Sequence, residues 1–293
     1  MSWQDGSESQ TAEASVGTDR TNGERADMDA LEGYDSLIVE IDAMSGVATI
    51  SLNRPEVRNA LSAVLVDELA DALAWSDADE RVGAIMLRGE GKDFCAGADL
   101  AALSEMMEES VEEQLADADA LGDLFLIMRR ISTPVVAAVH GHALAGGCGL
   151  ATACDVVLAA GDARFGYPEV KIGFLPAMVI AMLRRAVGEK RAFELVATGR
   201  IIDAASAESY GIVHHVFPAA EFESRSREYV AELAGRSASA LAMSKRLLYQ
   251  SELHSFEAAI RAGAEINVLA RLTDDYRQGV RRFLESKRKK GDR

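Results

Sequence analysis

Residues 134–161 read PVVAAVHGHALAGGCGLATACDVVLAAG, and this stretch decides the fold. Its two apolar runs, 134–140 and 155–161, have the length and the small or β-branched residues of buried strands. Between them, four glycines predict a tight turn that leads directly into a helix. Short apolar strands that alternate with helices are typical of sheets covered on both faces. We therefore predict an α/β fold.

The flanking sequence extends the same alternation. Residues 36–54 have apolar residues at every second position on either side of a Met-Ser-Gly turn, which predicts a β-hairpin. Ser62 is the candidate N-cap of a following helix, and an amphipathic pattern predicts another helix at 111–131. Short apolar runs predict further strands at 83–89 and 211–218.

Three regions differ in composition. Residues 1–30 are polar and rich in Ser, Thr, Gly and acidic residues, which predicts a disordered acidic leader with order beginning near Tyr34. Residues 31–225 carry the alternation of strands and helices and form the predicted core. Residues 226–293 show an almost wholly helical pattern and form a predicted C-terminal helical region.

Charge and cysteine content exclude several classes of function. The chain has 31 Lys and Arg against 47 Asp and Glu, and its formal net charge of −16 disfavours nucleic-acid binding. Its three cysteines cannot all pair with one another, so a reducing compartment is expected. No apolar run reaches the roughly 18 residues of a membrane helix. We predict a cytoplasmic protein with no nucleic-acid or membrane partner.

The glycine turn at 141–150 fits neither common phosphate-binding motif. Ala143 stands where a dinucleotide-binding fingerprint needs glycine, and Gly147 stands where a P-loop needs lysine. A glycine turn at a helix start still presents unpaired N–H groups that can stabilise negative charge developing in a reaction. A second glycine-bearing loop, 88–100, also follows a predicted strand and could aim an N–H group at the same oxygen. Taken alone, either loop is equally compatible with an ordinary turn between a strand and a helix that has no role in binding.

A candidate acid–base group lies downstream, in the segment ARFGYPEVKIGFLP at 163–176. Glu169 follows Pro168 there, and apolar residues flank the pair. Burial in a rigid apolar loop disfavours a charged carboxylate and raises its pKa toward a value useful for proton transfer. The alternative interpretation is an exposed glutamate in a surface turn.

Four segments together resemble the crotonase family, also called the enoyl-CoA hydratase/isomerase family. They fall in the family's order and spacing, within a similarity that covers roughly residues 35–290. The resemblance implies a spiral core of repeated ββα units, followed by a C-terminal helical trimerisation region. The segments are SLNRPEVRNALS (51–62), GKDFCAGADL (91–100), VHGHALAGGCGLATACDVVLA (139–159) and ARFGYPEVKIGFLP (163–176).

The resemblance also implies a site. The backbone N–H groups of Ala96 and Gly146 would form an oxyanion hole for a thioester carbonyl oxygen, and Glu169 would be the general acid and base. An acyl-CoA substrate and a homotrimer or homohexamer are implied, whereas a metal or redox cofactor is not. The residues implied to bind substrate or CoA are Arg58, Ala96, Gly97, Ala98, Asp99, Gly146, Phe283 and Lys287.

One position departs from the best-known hydratases of the family, which carry two glutamates. One of these matches Glu169, but Gly149 holds the position of the other. A single carboxylate suffices to move a proton between two carbons, as in the family's 3-enoyl-CoA isomerases. Hydratases of methylglutaconyl-type CoA esters, in leucine breakdown, nevertheless resemble this chain at 149–150 and in FLPAMVI at 174–180.

We therefore predict an enoyl-CoA hydratase for a branched or carboxyl-bearing acyl group. In this prediction Glu169 both activates the water and transfers the α-proton. A 3-enoyl-CoA isomerase is the first alternative, and a CoA-ester-binding protein without catalysis is the second.

Overall fold

A computed structural model describes residues 28–31, 33–97, 99, 108–252 and 254–291. The described strands form a seven-stranded sheet in the order β1-β2-β3-β4-β5-β7-β10 and a three-stranded sheet in the order β6-β8-β9. The strands are β1 Met28–Leu31, β2 Leu37–Asp42, β3 Val47–Leu52, β4 Ala84–Gly89, β5 Val135–Val139, β6 His142–Leu144, β7 Val156–Ala160, β8 Arg164–Gly166, β9 Ile201–Asp203 and β10 His215–Phe217.

The larger sheet begins with an antiparallel hairpin and continues as a parallel sheet. Strands β2 and β3 pair antiparallel with Leu37 opposite Leu52, which confirms the predicted hairpin. From β3 onward each neighbouring pair is parallel, including β5 with β7. The two apolar runs of 134–161 are adjacent parallel strands, as predicted. The predicted helix lies between them, but the turn before it also contains the short strand β6, which the sequence did not predict.

Ten helices join and cover the sheets within the described residues. Ser62 caps the first by accepting the Leu65 N–H, as predicted. The helices are α1 Ala63–Ala78, α2 Val111–Arg130, α3 Gly146–Ala153, α4 Val179–Val187, α5 Glu189–Thr198, α6 Ala204–Tyr210, α7 Phe222–Ala234, α8 Ala238–Ser251, α9 Phe256–Leu272 and α10 Asp274–Gly291. None of these described helices is long and apolar enough to cross a lipid bilayer.

Helices bury the larger sheet on both faces, as the apolar strands predict. On one face, Leu69 of α1 and Leu124 of α2 belong to the main apolar core with the inward side chains of β2 to β5. On the other face, Phe222 and Val230 of α7 pack in a second cluster with the opposite side chains of β3, β4, β5 and β7. The α/β prediction is confirmed.

The predicted leader, residues 1–30, falls mostly outside the described residues. Its last part differs from the prediction, because Met28–Leu31 forms β1 and pairs antiparallel with β2. Ordered structure thus begins before Tyr34. The added strand has a physical reason: it covers the edge of β2, whose backbone N–H and C=O groups would otherwise lack ladder partners.

A buried ion pair joins the C-terminal helices to the core. Lys245 Nζ, on α8, lies 2.8 Å from Asp155 Oδ2 and donates to the Thr133 carbonyl oxygen at 3.0 Å. Asp155 also accepts the Val135 N–H at 2.7 Å and the Tyr249 hydroxyl at 2.6 Å. One carboxylate therefore holds the start of β5, the end of α3 and the middle of α8 together.

Lys245→Met is expected to lower the free energy of unfolding by about 3–5 kcal/mol, because Asp155 stays buried without its cation. Urea unfolding followed by circular dichroism measures the change. The control is the double variant Lys245→Met/Asp155→Asn, which leaves no buried charge and should recover part of the loss. Wild-type stability in the single variant would contradict the prediction.

Candidate active site

Three segments singled out from the sequence leave the same edge of the small sheet. Strands β6 and β8 are parallel, with Leu144 opposite Gly166, and Cys95 forms a parallel bridge with Ala143. Beyond this edge, β6 leads into the glycine turn, β8 leads into the 3₁₀ turn Pro168–Ile172, and Cys95 leads into the loop 96–99. Since the carboxyl ends of parallel strands lie side by side, the three predicted segments meet.

Direct contacts hold these segments against one another. The Leu144 N–H donates to the Cys95 carbonyl oxygen at 3.0 Å, and the Ala145 N–H donates to the Gly166 carbonyl oxygen at 2.8 Å. A Cβ atom on Gly97 would lie 2.7 Å from Ala145 Cβ and 3.5 Å from the Gly146 nitrogen. Gly97 is therefore required for the loop 95–99 to approach the glycine turn this closely.

The glycine turn presents Gly146 as the first residue of α3. A first helical residue has no acceptor for its N–H within the helix, and the positive end of the helix dipole lies behind it. The preceding residue, Ala145, has φ 51° and ψ −126°, a conformation that residues with a Cβ rarely adopt. Strain of this kind persists only where the surroundings enforce it and clusters at functional sites. The predicted helix start is present at Gly146, and its binding of an anion remains a prediction.

Ala145→Gly is expected to raise the free energy of unfolding by about 0.5–2 kcal/mol. The change removes backbone strain of order 1–3 kcal/mol, and glycine's freedom in the unfolded chain offsets only about 0.5–1 kcal/mol of that gain. Thermal unfolding measures it. Ala143→Gly is the control, because Ala143 lies in β6 without a positive φ and should lose stability. A loss in both variants would show that Ala145 is unstrained.

The structure corrects the assignment of Ala96 as an oxyanion donor. Its N–H already donates to the Arg58 carbonyl oxygen at 3.0 Å, because the left-handed turn at Arg58 reaches back to the loop. The Cys95 and Asp99 N–H groups likewise donate to the carbonyl oxygens of His142 and Leu61, at 3.0 and 3.2 Å. Ala98, predicted to bind CoA, lies outside the described residues.

Two predicted CoA-binding side chains are engaged in ion pairs. Arg58 Nε lies 2.6 Å from Asp93 Oδ2, with about half of the Arg58 side chain exposed. Asp99 Oδ2 lies 2.9 Å from Arg54 Nη2. Both pairs flank the loop 95–99, so they shape it whether or not they also contact a ligand.

The predicted C-terminal pair lies together on another part of the molecule. Lys287 Nζ sits 5.1 Å from the ring centroid of Phe283, on α10. The main packing partners of α10 are α8 and α9. Phe283 also lines a cavity of about 350 Å³ between these helices, with Met243 and Tyr276 among its other walls. A role for this pair in CoA binding remains a prediction.

Glu169 is buried beside the glycine turn, with 9% of its surface exposed. It lies in the turn Pro168–Ile172, and its Oε2 atom is buried without a hydrogen bond from the described residues. A buried unsatisfied acceptor costs about 1–3 kcal/mol, so it calls for a functional explanation. Burial raises the pKa of Glu169 above its usual value. The predicted desolvated carboxylate is confirmed, and the exposed-turn alternative is wrong.

A hydroxyl pair ties the Glu169 segment to α3. Tyr167 is fully buried, and its hydroxyl lies 2.9 Å from Thr152 Oγ1, which donates to the Cys148 carbonyl oxygen at 2.7 Å. Burial raises the pKa of the Cys148 thiol to about 12, so this cysteine is neutral and not a nucleophile. These contacts fix the backbone from which Glu169 projects.

An apolar contact fills the space in front of Gly149. A Cβ atom on Gly149 would lie 2.4 Å from Val179 Cγ2 and 3.5 Å from Phe125 Cζ. Val179 begins α4 and Phe125 lies on α2, and both are buried. The sequence predicted the missing second carboxylate at Gly149, but it carried no signal for these two partners, which are distant in the chain.

Backbone donors and one carboxylate are the chemical groups that this site offers. Across the described ranges, no three His, Cys, Asp or Glu side chains are grouped as metal ligands would be. The arrangement can polarise an acyl oxygen at Gly146 and exchange a proton at Glu169, without a covalent intermediate on the protein.

Known proteins share this architecture. A family model described as enoyl-CoA hydratase/isomerase matches residues 42–291. A Thermus thermophilus relative, provisionally named as an enoyl-CoA hydratase, is 41% identical over 241 residues, which cover 82% of this chain and 95% of the relative. The Escherichia coli 2,3-dehydroadipyl-CoA hydratase is 34% identical over 242 residues, which cover 82% of this chain and 93% of that protein.

A solved structure agrees with the sequence matches. The crystal structure of an enoyl-CoA hydratase from Mycobacterium smegmatis matches with a TM-score of 0.81 and 33% identity, over 86% of this chain and 96% of that one. The family match, the shared fold and the converging segments lead to one conclusion. The chain belongs to the enoyl-CoA hydratase/isomerase family.

Proposed function

We propose that the protein is an enoyl-CoA hydratase, which adds water across the C2–C3 double bond of a 2-enoyl-CoA thioester. One observation carries the proposal: the buried carboxylate of Glu169, with an unsatisfied oxygen, follows a strand whose Gly166 carbonyl oxygen accepts the Ala145 N–H of the turn that presents Gly146. Addition to a conjugated thioester needs a base and a stabilised oxyanion in one place. Relatives named as hydratases support the same reaction.

The oxyanion forms at the thioester oxygen. The Gly146 N–H is one donor, and we propose that the second comes from Gly97 or Ala98 of the adjoining loop, because the Cys95, Ala96 and Asp99 N–H groups already donate to protein carbonyl oxygens. Charge builds on the thioester oxygen only as the enolate develops, so fixed donors stabilise the transition state more than the bound substrate. By precedent, each such donor contributes about 3–4 kcal/mol.

Glu169 moves the proton in both halves of the reaction. Its carboxylate accepts a proton from water as the water oxygen bonds to C3, and the π electrons move onto the thioester oxygen. When the enolate collapses, the protonated Glu169 returns that proton to C2. Burial raises the pKa of Glu169, which makes the carboxylate a stronger base for this proton transfer. The reaction needs no metal or redox cofactor, and CoA is part of the substrate.

A 3-enoyl-CoA isomerase is the second candidate, and the packing at Gly149 favours it. Val179 fills the space that a second carboxylate would need, so one carboxylate serves the site. A single base can remove the proton at C2 and return it at C4, through a dienolate whose negative charge also lies on the thioester oxygen. The oxyanion donors and Glu169 keep their roles in this reaction.

The acyl group is the finer part of the proposal. The name of the E. coli relative denotes an enoyl-CoA with a second carboxyl group. This agrees with the resemblance of FLPAMVI, residues 174–180, to methylglutaconyl-type hydratases. We therefore propose a branched or carboxyl-bearing enoyl-CoA as substrate.

Mass spectrometry of the products separates the candidates. The purified protein is incubated with 2-enoyl-CoA, 3-enoyl-CoA, methylglutaconyl-CoA and 2,3-dehydroadipyl-CoA esters. Hydration adds the mass of one water, whereas isomerisation leaves the mass unchanged and creates the ultraviolet absorbance of a conjugated thioester. Binding of the esters without any conversion would establish the CoA-ester-binding alternative and overturn the proposal.

We also propose that the protein forms a homotrimer or homohexamer. Helix α9 has no buried residue, and its apolar side chains Phe256, Ile260 and Leu272 are each more than half exposed. An apolar surface of this kind marks an interaction site. Light scattering of the protein as it elutes from a size-exclusion column gives its mass in solution. A monomer at micromolar concentration would contradict this proposal.

A further inference from the structure

Asp93 binds two residues that are distant in sequence. Its Oδ2 atom lies 2.6 Å from Arg58 Nε, and its Oδ1 atom accepts the His142 backbone N–H at 2.9 Å and lies 2.6 Å from His142 Nδ1. The Asp93 side chain is only 8% exposed. Burial alone would raise the pKa of Asp93, but the hydrogen bonds from Arg58 and His142 outweigh it and lower the pKa to about 2. The carboxylate is thus a permanent acceptor.

The two partners of Asp93 also hold the backbone of the loop 95–99. The Arg58 carbonyl oxygen accepts the Ala96 N–H, and the His142 carbonyl oxygen accepts the Cys95 N–H, each at 3.0 Å. The loop is therefore held from both sides by residues whose side chains meet at Asp93. It continues into Gly97, which packs against Gly146.

The backbone around Asp93 is held in unusual conformations. Arg58 has φ 57° and ψ 38°, and Asn59 has φ 54° while its side-chain amide donates to the Asp93 carbonyl oxygen at 2.8 Å. A Cβ atom on Gly141, where φ is 56°, would lie 2.0 Å from the Lys92 carbonyl oxygen. Left-handed conformations of non-glycine residues persist where the surroundings determine them, and they cluster at functional sites.

We propose that Asp93 is a positioning residue of the oxyanion hole. Through Arg58 and His142, it fixes Cys95 and Ala96 beside the glycine turn and so sets where the rest of this loop can present a donor to the thioester oxygen bound at Gly146. Asp93 acts through its neighbours and does not contact substrate. The inference rests on the proposed function in two respects, which are that a thioester oxygen binds at Gly146 and that the loop after Ala96 supplies its second donor.

Asp93→Asn tests the inference. Its remaining oxygen can still accept from His142, while its amide group opposes the Arg58 Nε donor and breaks that side of the link. We expect kcat for hydration to fall about 10- to 100-fold with a smaller change in KM, because misplacement by about 1 Å can cost about 100-fold in rate. The matched control is Asp79→Asn, which breaks the ion pair of Asp79 with Arg81, 2.8 Å apart, at the end of α1. This control should leave kcat unchanged.

The carbonyl stretch of a bound substrate analogue distinguishes positioning from a merely structural role. Hydrogen bonds to a thioester oxygen lower its stretching frequency, and infrared difference spectra with a ¹³C-labelled thioester carbon isolate that band. We expect a smaller downshift in Asp93→Asn than in the wild-type protein. A variant that loses thermal stability but keeps the wild-type kcat and carbonyl frequency overturns the inference.

His142→Leu keeps the test decisive if Asp93→Asn fails to fold. The His142 side chain is 40% exposed, so the substitution is tolerable. The variant loses the contact between the imidazole and Asp93 but keeps the ion pair of Asp93 with Arg58. We expect about a 3- to 10-fold fall in kcat, as a partial form of the same misplacement, with a reduced downshift. A wild-type downshift in His142→Leu overturns the inference. If the wild-type protein binds acyl-CoA with a downshifted carbonyl band but adds no water, the proposed function fails. The difference in downshift between the wild-type protein and Asp93→Asn still tests the role of Asp93 in that case.

Discussion

Replacing Glu169 with glutamine is expected to lower kcat by about 10²- to 10⁴-fold, the usual contribution of a general acid or base. Glutamine has nearly the same shape, but it can neither accept the proton of water nor return one to C2. Substrate affinity should change little, because the Gly146 N–H and the CoA contacts remain. Initial rates at saturating substrate, with the dissociation constant of a product analogue, measure the two effects separately.

The same variant should not lose stability at neutral pH. Burial raises the pKa of Glu169 in the folded protein above its value in the unfolded chain. The resulting stabilisation of the folded state is fully present below the unfolded-state pKa and is lost as pH rises through the folded-state pKa. Glutamine carries no charge, so the stability of Glu169→Gln relative to wild type should increase with pH across this window. Urea unfolding at a series of pH values measures the trend.

Glu189→Gln is the matched control, because Glu189 is exposed at the start of α5. It should keep full kcat. If Glu169→Gln retained more than about a tenth of the wild-type kcat, well above what loss of a general acid or base allows, the proposed role of Glu169 would be wrong. A fall in stability that grows with pH would instead show that the ionised carboxylate is well solvated in the folded protein.

The features that the sequence predicted correctly depend on local pattern. The two outer strands of 134–161 and the helix between them follow from two apolar runs and the glycines between them, which neighbouring residues determine, whereas β6 was not predicted. The Ser62 cap and the hairpin of β2 and β3 are local in the same sense. The burial of Glu169 was also predicted from its proline and apolar neighbours, although Val170 and Ile172 in the same turn are exposed.

The features that the sequence did not predict depend on contacts between distant segments. The Ala96 N–H is taken by Arg58, and the space before Gly149 is filled by Val179; neither contact has a signature in residue spacing. No local sequence pattern distinguishes Asp93 from other polar loop residues. Its contacts with Arg58 and His142 form only when the chain folds. The family resemblance predicted which segments form the site. The hydrogen bonds of the folded chain were needed to show that the Ala96 N–H is not the oxyanion donor.

Gly149→Glu is expected to lower the melting temperature by roughly 10 °C. Its Cβ atom would lie 2.4 Å from Val179 Cγ2, and overpacking of this kind costs about 1–3 kcal/mol before the desolvation of a buried carboxylate is added. Val179→Ala alone removes two methyl groups and should cost roughly 2 kcal/mol. If Val179 is what excludes a side chain at 149, the double variant will be more stable than the sum of the two single losses predicts.

The double variant Gly149→Glu/Val179→Ala also tests why the site has one carboxylate. A second carboxylate beside Glu169 can help to hold and activate water, whereas it offers nothing to a single-base shuttle between C2 and C4. We therefore expect the ratio of hydrated to isomerised product to rise relative to Val179→Ala, which controls for the enlarged pocket. Strictly additive losses of stability, with an unchanged product ratio, would show that Val179 does not determine the chemistry at this position. A raised ratio would identify the contact between Gly149 and Val179 as the element that commits the site to Glu169 alone.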